Sequence, residues 1–314
     1  MRNAFAEVLA ELGRRDPRIC IVVADISPAG PMAQFREEFP DRFINVGVAE
    51  QAMIGVCAGL ALRGMRPFAY TIATFALYRP FEFIRDDLAY QNLPVTVVGI
   101  GGGVVYSTLG GTHYAQEDIA VASAIPNMSV IAPCDPAETK AVTEYAAIRP
   151  GGGPIYLRLG KAGEPIISAA IEPNFEFGRI RYFRRGTGDI ALISYGLMMH
   201  MAVEIADALA AQGRSVTLVS TPTLKPLDLE GLASVIRSHE QVVVVEEHAP
   251  QGGLAAKVKQ LAWDVRAQCD LRTYTLKDEF VHSYGSHVDL LRRHGLSADL
   301  ILASSGARDL TPAG

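Results

Sequence analysis

The chain has 314 residues, 49% of them hydrophobic and 20% charged, the balance of an ordinary globular protein long enough for two cores. Its formal net charge is −5 with no long block of either sign, which argues against nucleic acid or an anionic membrane as the main partner. The four cysteines, Cys20, Cys57, Cys134 and Cys269, match no zinc or redox spacing, and no uncharged apolar run reaches membrane-spanning length, so the composition reads as a reduced, cytoplasmic protein.

In chain order, "MRNAFAEVLAELGRR" sets Phe5, Val8, Leu9 and Leu12 along an amphipathic helix and is not a signal peptide. "RICIVVAD" is a β-branched strand that ends at Asp25. "FINVGVAEQAMIGVCAGLALRG" reads as a strand residue or two followed by a small-residue helix over 47–63. Glu50 stands near the start of that helix among Val46, Val48, Ala49, Met53 and Ile54, company in which a carboxylate is costly unless something pairs with it. A helical pattern covers 79–91. The strand "PVTVVGIGGG" then runs into glycines, a helix is predicted over 114–124, and "MSVIAPCD" is the next strand. The helix over 135–148 has Asp135 as N-cap, Pro136 at N1 and Glu138 at N3, and the strand "GPIYLRLG" follows it.

Residues 160–188 are punctuated by Pro and Gly and carry only short strand-like pieces. They divide the chain into a first domain over 1–165, a linker over 166–187 and a second domain over 188–314. In the second domain "DIALISYG", "SVTLVS", "QVVVVEEH" and "RTYTL" alternate with helices at 197–213, 228–238 and 253–268. Continuous apolar strands alternating with helices predict an α/β chain of two doubly wound domains, each with a parallel sheet covered on both faces.

Open sheets of this kind bind ligands beyond the carboxyl ends of their strands, which puts the candidates at 25–30, 99–113, 132–135 and 159–163. The glycine-rich stretch "GIGGGVVYSTLGGTH" contains neither a dinucleotide fingerprint nor a P-loop. On the residues alone, His113 is better read as a structural histidine and Phe75 as core.

Four stretches in order carry a family resemblance: "GVAEQAMIGVCAGLALRGMRPF", "TFALYRPFEFIR", "GGTHYAQEDIAVASAIPNMSVIAPCDPAET" and "GPIYLRLGK". Together they resemble the pyrimidine-binding domain of transketolases. "GDIALISYGLMMHMAVEIADALAAQG" and "VVVVEEHAPQGGL" resemble the C-terminal domain of the same family, so the likeness covers nearly the whole chain. It implies a thiamine diphosphate enzyme that transfers a two-carbon ketol unit from a ketose or ketose phosphate donor to an aldehyde acceptor. By the resemblance, Glu50 hydrogen-bonds N1′ of the aminopyrimidine. An apolar surround lets a carboxyl share a proton with that nitrogen and favours the imino form that takes the C2 proton of the thiazolium. Matched positions imply that Phe75 stacks on the pyrimidine, that Tyr78 lines the same pocket, and that Asp25 and Ile26 meet the cofactor across the boundary between two subunits. His113 matches the histidine near the reacting carbons, where it hydrogen-bonds an oxyanion or shuttles a proton. Arg2 and Lys161 match two basic positions that hold a sugar phosphate.

The family's other mark, G-D-G followed downstream by Asn, is missing; "GTGDIA" at 186–191 leads into a strand and does not replace it. The resemblance therefore implies one half of a split enzyme. A separate N-terminal transketolase-like subunit carrying G-D-G…N would hold Mg²⁺ (or Ca²⁺), the diphosphate and the thiazolium, in an α2β2 assembly. Departures inside the substrate channel imply an altered acceptor. The acidic residue usual four before the histidine is Leu109, a phosphate-holding histidine is Gly101, and a phosphate-binding serine is Ala29. Three other readings stay open at this point: a synthase of the 1-deoxy-D-xylulose 5-phosphate type, the β subunit of a 2-oxoacid dehydrogenase, and a non-catalytic regulatory partner. "RLGK" and "VGVAEQ" lean towards transketolase, and retention of Glu50 argues against a non-catalytic role.

Overall fold

The computed structural model describes residues 1–26, 32–171 and 174–305. The β-branched runs become β1 (Ile19–Val23), β2 (Phe43–Asn45), β3 (Arg66–Ile72), β4 (Thr96–Ile100), β5 (Ser129–Ile131) and β6 (Ile155–Leu159). They continue as β7 (Arg181–Arg184), β8 (Ile190–Ser194), β9 (Val216–Ser220), β10 (Thr223–Lys225), β11 (Gln241–Val245) and β12 (Asp270–Tyr274). The first sheet has the order β10-β5-β6-β4-β3-β1-β2, and the second β12-β11-β8-β9-β7. All neighbours are parallel except β10 against β5 and β7 against β9. Every residue of β1, β4, β6, β8, β9 and β11 is buried, because helices cover both faces. That is why these strands read as unbroken apolar runs rather than as alternation. The two parallel α/β sheets are those the sequence predicts.

Three local departures have physical causes. The pattern over 79–91 is not one helix. Residues Ala73–Leu77 form a short helix, and after Pro80 a single turn at Phe81–Phe83 runs into wide π-type turns over Ile84–Tyr90. Proline lacks the N–H that a continuous helix needs and crowds the preceding turn. The helix expected over 114–124 shortens to Asp118–Ala124, and Gly111–His113 form one 3₁₀ turn ahead of it. The strand β10 lies in the second half of the chain yet closes the edge of the first sheet, protecting an edge that would otherwise pair elsewhere. The cap at Asp135 is as expected: its carboxylate accepts from the Glu138 amide at 2.9 Å. The same side chain also accepts from the amides of Ile167 and Ser168, at 2.7 and 2.6 Å, and so anchors the chain leaving β6.

Cys20, Cys57 and Cys134 are buried free thiols, and burial pushes the Cys20 thiol up to about 12. Among the described residues no helix is long and apolar enough to cross a membrane. The carboxyl ends of β1, β3, β4 and β6 face one side of the first sheet. There they deliver Asp25, the Phe75 helix, the Gly101–Gly103 turn and Lys161.

Candidate active site

Glu50 opens the helix Glu50–Leu62, and its side chain is 3% exposed. A carboxylate in that position needs a partner, and the partner is Arg79, whose Nη1 donates to Oε1 at 2.9 Å. The Arg79 guanidinium also lies over the Phe75 ring, its carbon 4.2 Å from the centroid. Phe75 and Arg79 are four residues apart on one helical stretch, since Tyr78 still has helical backbone angles, and residues at that spacing share a face.

The row continues on the other side of Phe75. His113 meets it edge-on at 5.2 Å between centroids, and Tyr106 meets His113 at 6.3 Å. The Lys161 ammonium lies 5.4 Å from the Tyr106 centroid. Arg2 is close enough for its charge to act on the hydroxyls of Tyr70 and Tyr106, where it opposes the rise caused by burial. Its Nε is buried without a hydrogen-bond partner. Burial, and then the positive charge of Arg79, hold His113 below its ordinary value of 6.5, so its imidazole is neutral at pH 7. Its Nδ1 lies 3.0 Å from Thr112 Oγ1.

The other predicted positions are distributed around this row. Tyr78 turns its hydroxyl to Glu117, donating to the carboxylate at 2.9 Å and accepting from the amide at 3.3 Å. Asp25 sits at the end of β1 with φ 47°. Its amide donates to Asn45 Oδ1 at 3.1 Å, and the same oxygen accepts from Gly47 at 3.0 Å, which ties the β1 end to the loop entering the Glu50 helix. Ile26 follows, half-buried. Leu109 is 48% exposed. Gly101 has φ 72°, and a Cβ there would lie 2.3 Å from the Tyr106 ring, so Tyr106 fills the space that a longer residue at 101 would need. Ala29 lies outside the described residues.

Two residues of the row, Arg79 and Tyr106, escaped the sequence reading. The i,i+4 spacing from Phe75 was a usable signal for Arg79. For Tyr106 the only signal was an aromatic inside a glycine-rich loop. The second domain reaches this loop too: buried Glu247 accepts from the Val104 amide at 2.6 Å and pairs with His287 Nε2 at 2.8 Å. A groove of about 420 Å³ runs beside it, between Gly110–Thr112 and residues 280–284. The site thus offers a flat aromatic face, a buried carboxylate, a neutral imidazole and three cations, Arg79, Lys161 and Arg2. Among the described residues, no group of three or more His, Cys, Asp and Glu side chains stands together as a metal set.

Comparison with known proteins places this architecture. Residues 1–163 match the model for the transketolase pyrimidine binding domain, and residues 178–301 match that for the transketolase C-terminal domain. The chain belongs to the transketolase family. Within it the chain is a transketolase-like subunit, matched along nearly its whole length by proteins of the split kind. It is 34% identical to one of the subunits of the apulose-4-phosphate transketolase of Actinobacillus succinogenes, covering 90% of this chain and 89% of that protein. It is 36% identical to a putative transketolase C-terminal section of Methanocaldococcus jannaschii, covering 96% and 93%. A solved structure described as a split gene transketolase, inactive beta4 tetramer, superposes with a TM-score of 0.86 at 35% identity and covers 97% of this chain and 96% of that one.

Proposed function

We propose that this chain supplies the pyrimidine half of the site of a thiamine diphosphate-dependent enzyme that moves a two-carbon ketol unit from a ketose to an aldehyde. The observation that carries the reading is the constellation of buried Glu50, stacked Phe75 and edge-on His113. The residues fit the cofactor's ring: a flat nitrogen-bearing group, the Arg79 guanidinium, already lies against Phe75 and hydrogen-bonds Glu50. When bound, thiamine diphosphate supplies an electron sink for the transferred unit. Glu50 holds and shares the proton at the ring nitrogen, and Phe75 carries the ring face. Tyr78 lines the same pocket, and Asp25 and Ile26 meet the cofactor across the boundary between two subunits. The neutral imidazole of His113 takes or gives a proton at a substrate oxygen. Arg2 and Lys161, both near Tyr106, attract an anionic tail, and Leu109 presents an apolar wall to the acceptor.

In this reading a separate subunit carries the metal, Mg²⁺ or Ca²⁺, and the diphosphate, in an α2β2 complex in the cytoplasm. The relative described as an inactive tetramer of β chains alone supports such dependence. Domain limits of 1–165 and 188–314 go with it, except that β7 (Arg181–Arg184), inside the segment 166–187 taken as a linker, is an edge strand of the second sheet. The test is Glu50→Gln in the assembled complex. Turnover should fall by at least ~10²-fold, the lower end for a lost acid–base partner, while cofactor affinity changes far less. Hydrogen exchange at the thiazolium C2, followed by NMR, should slow in step. Exchange at the wild-type rate in the variant would overturn the role given to Glu50.

A further inference from the structure

Arg79 does something that the pairing of a buried carboxylate alone does not require. A carboxylate is satisfied by any cation in line with its oxygens, but this guanidinium also lies over the Phe75 ring, 4.2 Å from its centroid, while donating to Glu50 at 2.9 Å. A guanidinium is planar, bears N–H donors along one edge and stacks on aromatic faces. An aminopyrimidine is also planar and also offers a nitrogen edge, so it calls on the same two partners. From this we infer that Arg79 is a built-in occupant of the ring seat, a tethered stand-in that must swing out before a flat nitrogen heterocycle such as the aminopyrimidine can enter. The inference rests on the reading of Glu50 and Phe75 given under Proposed function.

The surroundings suit a removable occupant. Glu50 is 3% exposed and would be left buried and uncompensated in an empty seat, whereas Arg79 is 45% exposed. Its departure exchanges one ion pair for hydration of a side chain that is already half in solvent. Arg79 lies in the turn between the helix Ala73–Leu77, capped by Tyr78, and the helical turn that follows Pro80. A change of side-chain rotamer takes the guanidinium from over Phe75 to solvent. The entering ring takes over the contact with Glu50, so the carboxylate keeps a partner before and after. An internal competitor of this kind weakens the measured affinity of the external ligand by the factor in which it favours the closed seat.

Two measurements test the inference. The first is calorimetry of thiamine diphosphate with Mg²⁺ on the chain assembled with its diphosphate-binding subunit, as wild type, Arg79→Met and Arg79→Lys. Arg79→Met, which keeps length but neither plane nor charge, should bind the cofactor about five- to tenfold more tightly. Arg79→Lys, which keeps the charge but cannot lie flat, should fall between the two and serves if the methionine variant is unstable. The second is the titration of His113 in the cofactor-free chain, followed by NMR of its imidazole signals. Arg79 is one of the causes holding His113 below 6.5, so Arg79→Met should move its midpoint upward. Equal or weaker cofactor binding by both variants, or an unmoved His113 midpoint, would overturn the inference. Its failure is separable from that of the parent reading. If Glu50→Gln slows C2 exchange while the Arg79 variants change nothing, only the stand-in falls. If Glu50→Gln leaves exchange and affinity at wild-type values, the seat itself has been misassigned.

Discussion

At the scale of single residues, most of the site is a set of polar groups with a reason to be where they are, and Leu109 stands out because it has none. It is 48% exposed, four residues before His113 and three after Tyr106, and its amide donates to the Tyr106 carbonyl at 2.8 Å. A leucine in that turn offers only apolar contact. A substrate hydroxyl placed against it loses water without gaining a partner, at about 1–3 kcal/mol, or roughly tenfold to a hundredfold in kcat/KM. The chain should therefore prefer an acceptor that lacks a hydroxyl at the position facing Leu109. Kinetics with paired acceptors, one hydroxylated and one deoxy, measure this directly. Leu109→Asp should raise kcat/KM for the hydroxylated member by about tenfold or more. Ordinary efficiency with ribose 5-phosphate that the substitution fails to improve would remove Leu109 from the specificity argument. Gly101 belongs to a different category. It looked like a lost phosphate contact in the sequence, but the Tyr106 ring takes up the space beside it, so packing is sufficient reason for the glycine.

At the scale of elements, the loop from Gly101 to His113 is the piece whose placement decides the site, and it is held from the second domain. Glu247, just beyond the end of β11, accepts from Val104 and from His287. A Cβ on Gly103 would lie 2.4 Å from its carboxylate, at a backbone φ of 73°. Arg158 donates to the Glu247 carbonyl at 3.0 Å and to Asp118 at 2.8 Å, and Tyr156 donates to the same Asp118 at 2.7 Å. Burial pulls the His287 imidazole down, but the Glu247 carboxylate outweighs it, and the net position is above 6.5. Burial likewise raises Glu247, but His287, Arg158 and the Val104 amide outweigh it and leave it below 4.5. The linkage then has two signs. The His287 contribution is fully present below 6.5 and is lost as pH rises through its higher folded value. The Glu247 contribution is present above 4.5 and is lost as pH falls through its lower folded value. The pair thus stabilises most in mildly acidic solution. Comparing Tm of wild type and His287→Gln should give a larger gap at about pH 5.5 than at about pH 8; an equal gap at both would mean that the imidazolium does not pin the loop.

The elements themselves were largely legible, and the exceptions show why some were not. Unbroken β-branched runs such as "ICIVV" and "QVVVV" announce strands buried on both faces, and the Asp135-Pro136-x-Glu138 signal announces its helix. The break after Tyr78 could have been read from Pro80, yet the π-type turns at Ile84–Tyr90 have no local signal, since they answer to tertiary packing. Nor does β10: the short segment Thr223–Lys225 gains its strand character only from the edge of a sheet made much earlier in the chain. The site was legible only through resemblance. Arg79 links Glu50 to Phe75, and His113 meets Phe75 edge-on, but the ion pair that makes Glu50 tolerable joins residues 29 apart in sequence, and distance in sequence hides a contact from any local pattern.

At the scale of the whole molecule, the question is how much cofactor binding one such chain can carry. Its proposed contribution is one hydrogen bond to a buried carboxylate, worth about 1.5–3 kcal/mol, and one aromatic stack, worth about 0.5–1.5 kcal/mol. Against these stand the translational and rotational cost of association, about 4 kcal/mol at the least, and the displacement of Arg79. Even at its favourable end the sum is only about 0.5 kcal/mol, far short of the roughly 8 kcal/mol of a micromolar site. The positive charges on the chain do not repair the deficit for the diphosphate end. Arg2 and Lys161 lie by Tyr106, beyond His113 from Phe75, in the place assigned to a substrate's anionic tail. In the proposed reading, the donors that grip two phosphates and a divalent cation belong to the separate subunit. Calorimetry of the isolated chain with thiamine diphosphate and Mg²⁺ should therefore give no measurable heat of binding at micromolar cofactor. Adding the diphosphate-binding subunit should bring out saturable binding with one site per pair of chains, and activity with it. Sub-micromolar binding by the isolated chain would mean that it holds the diphosphate itself, and the division of labour between two subunits would have to be abandoned.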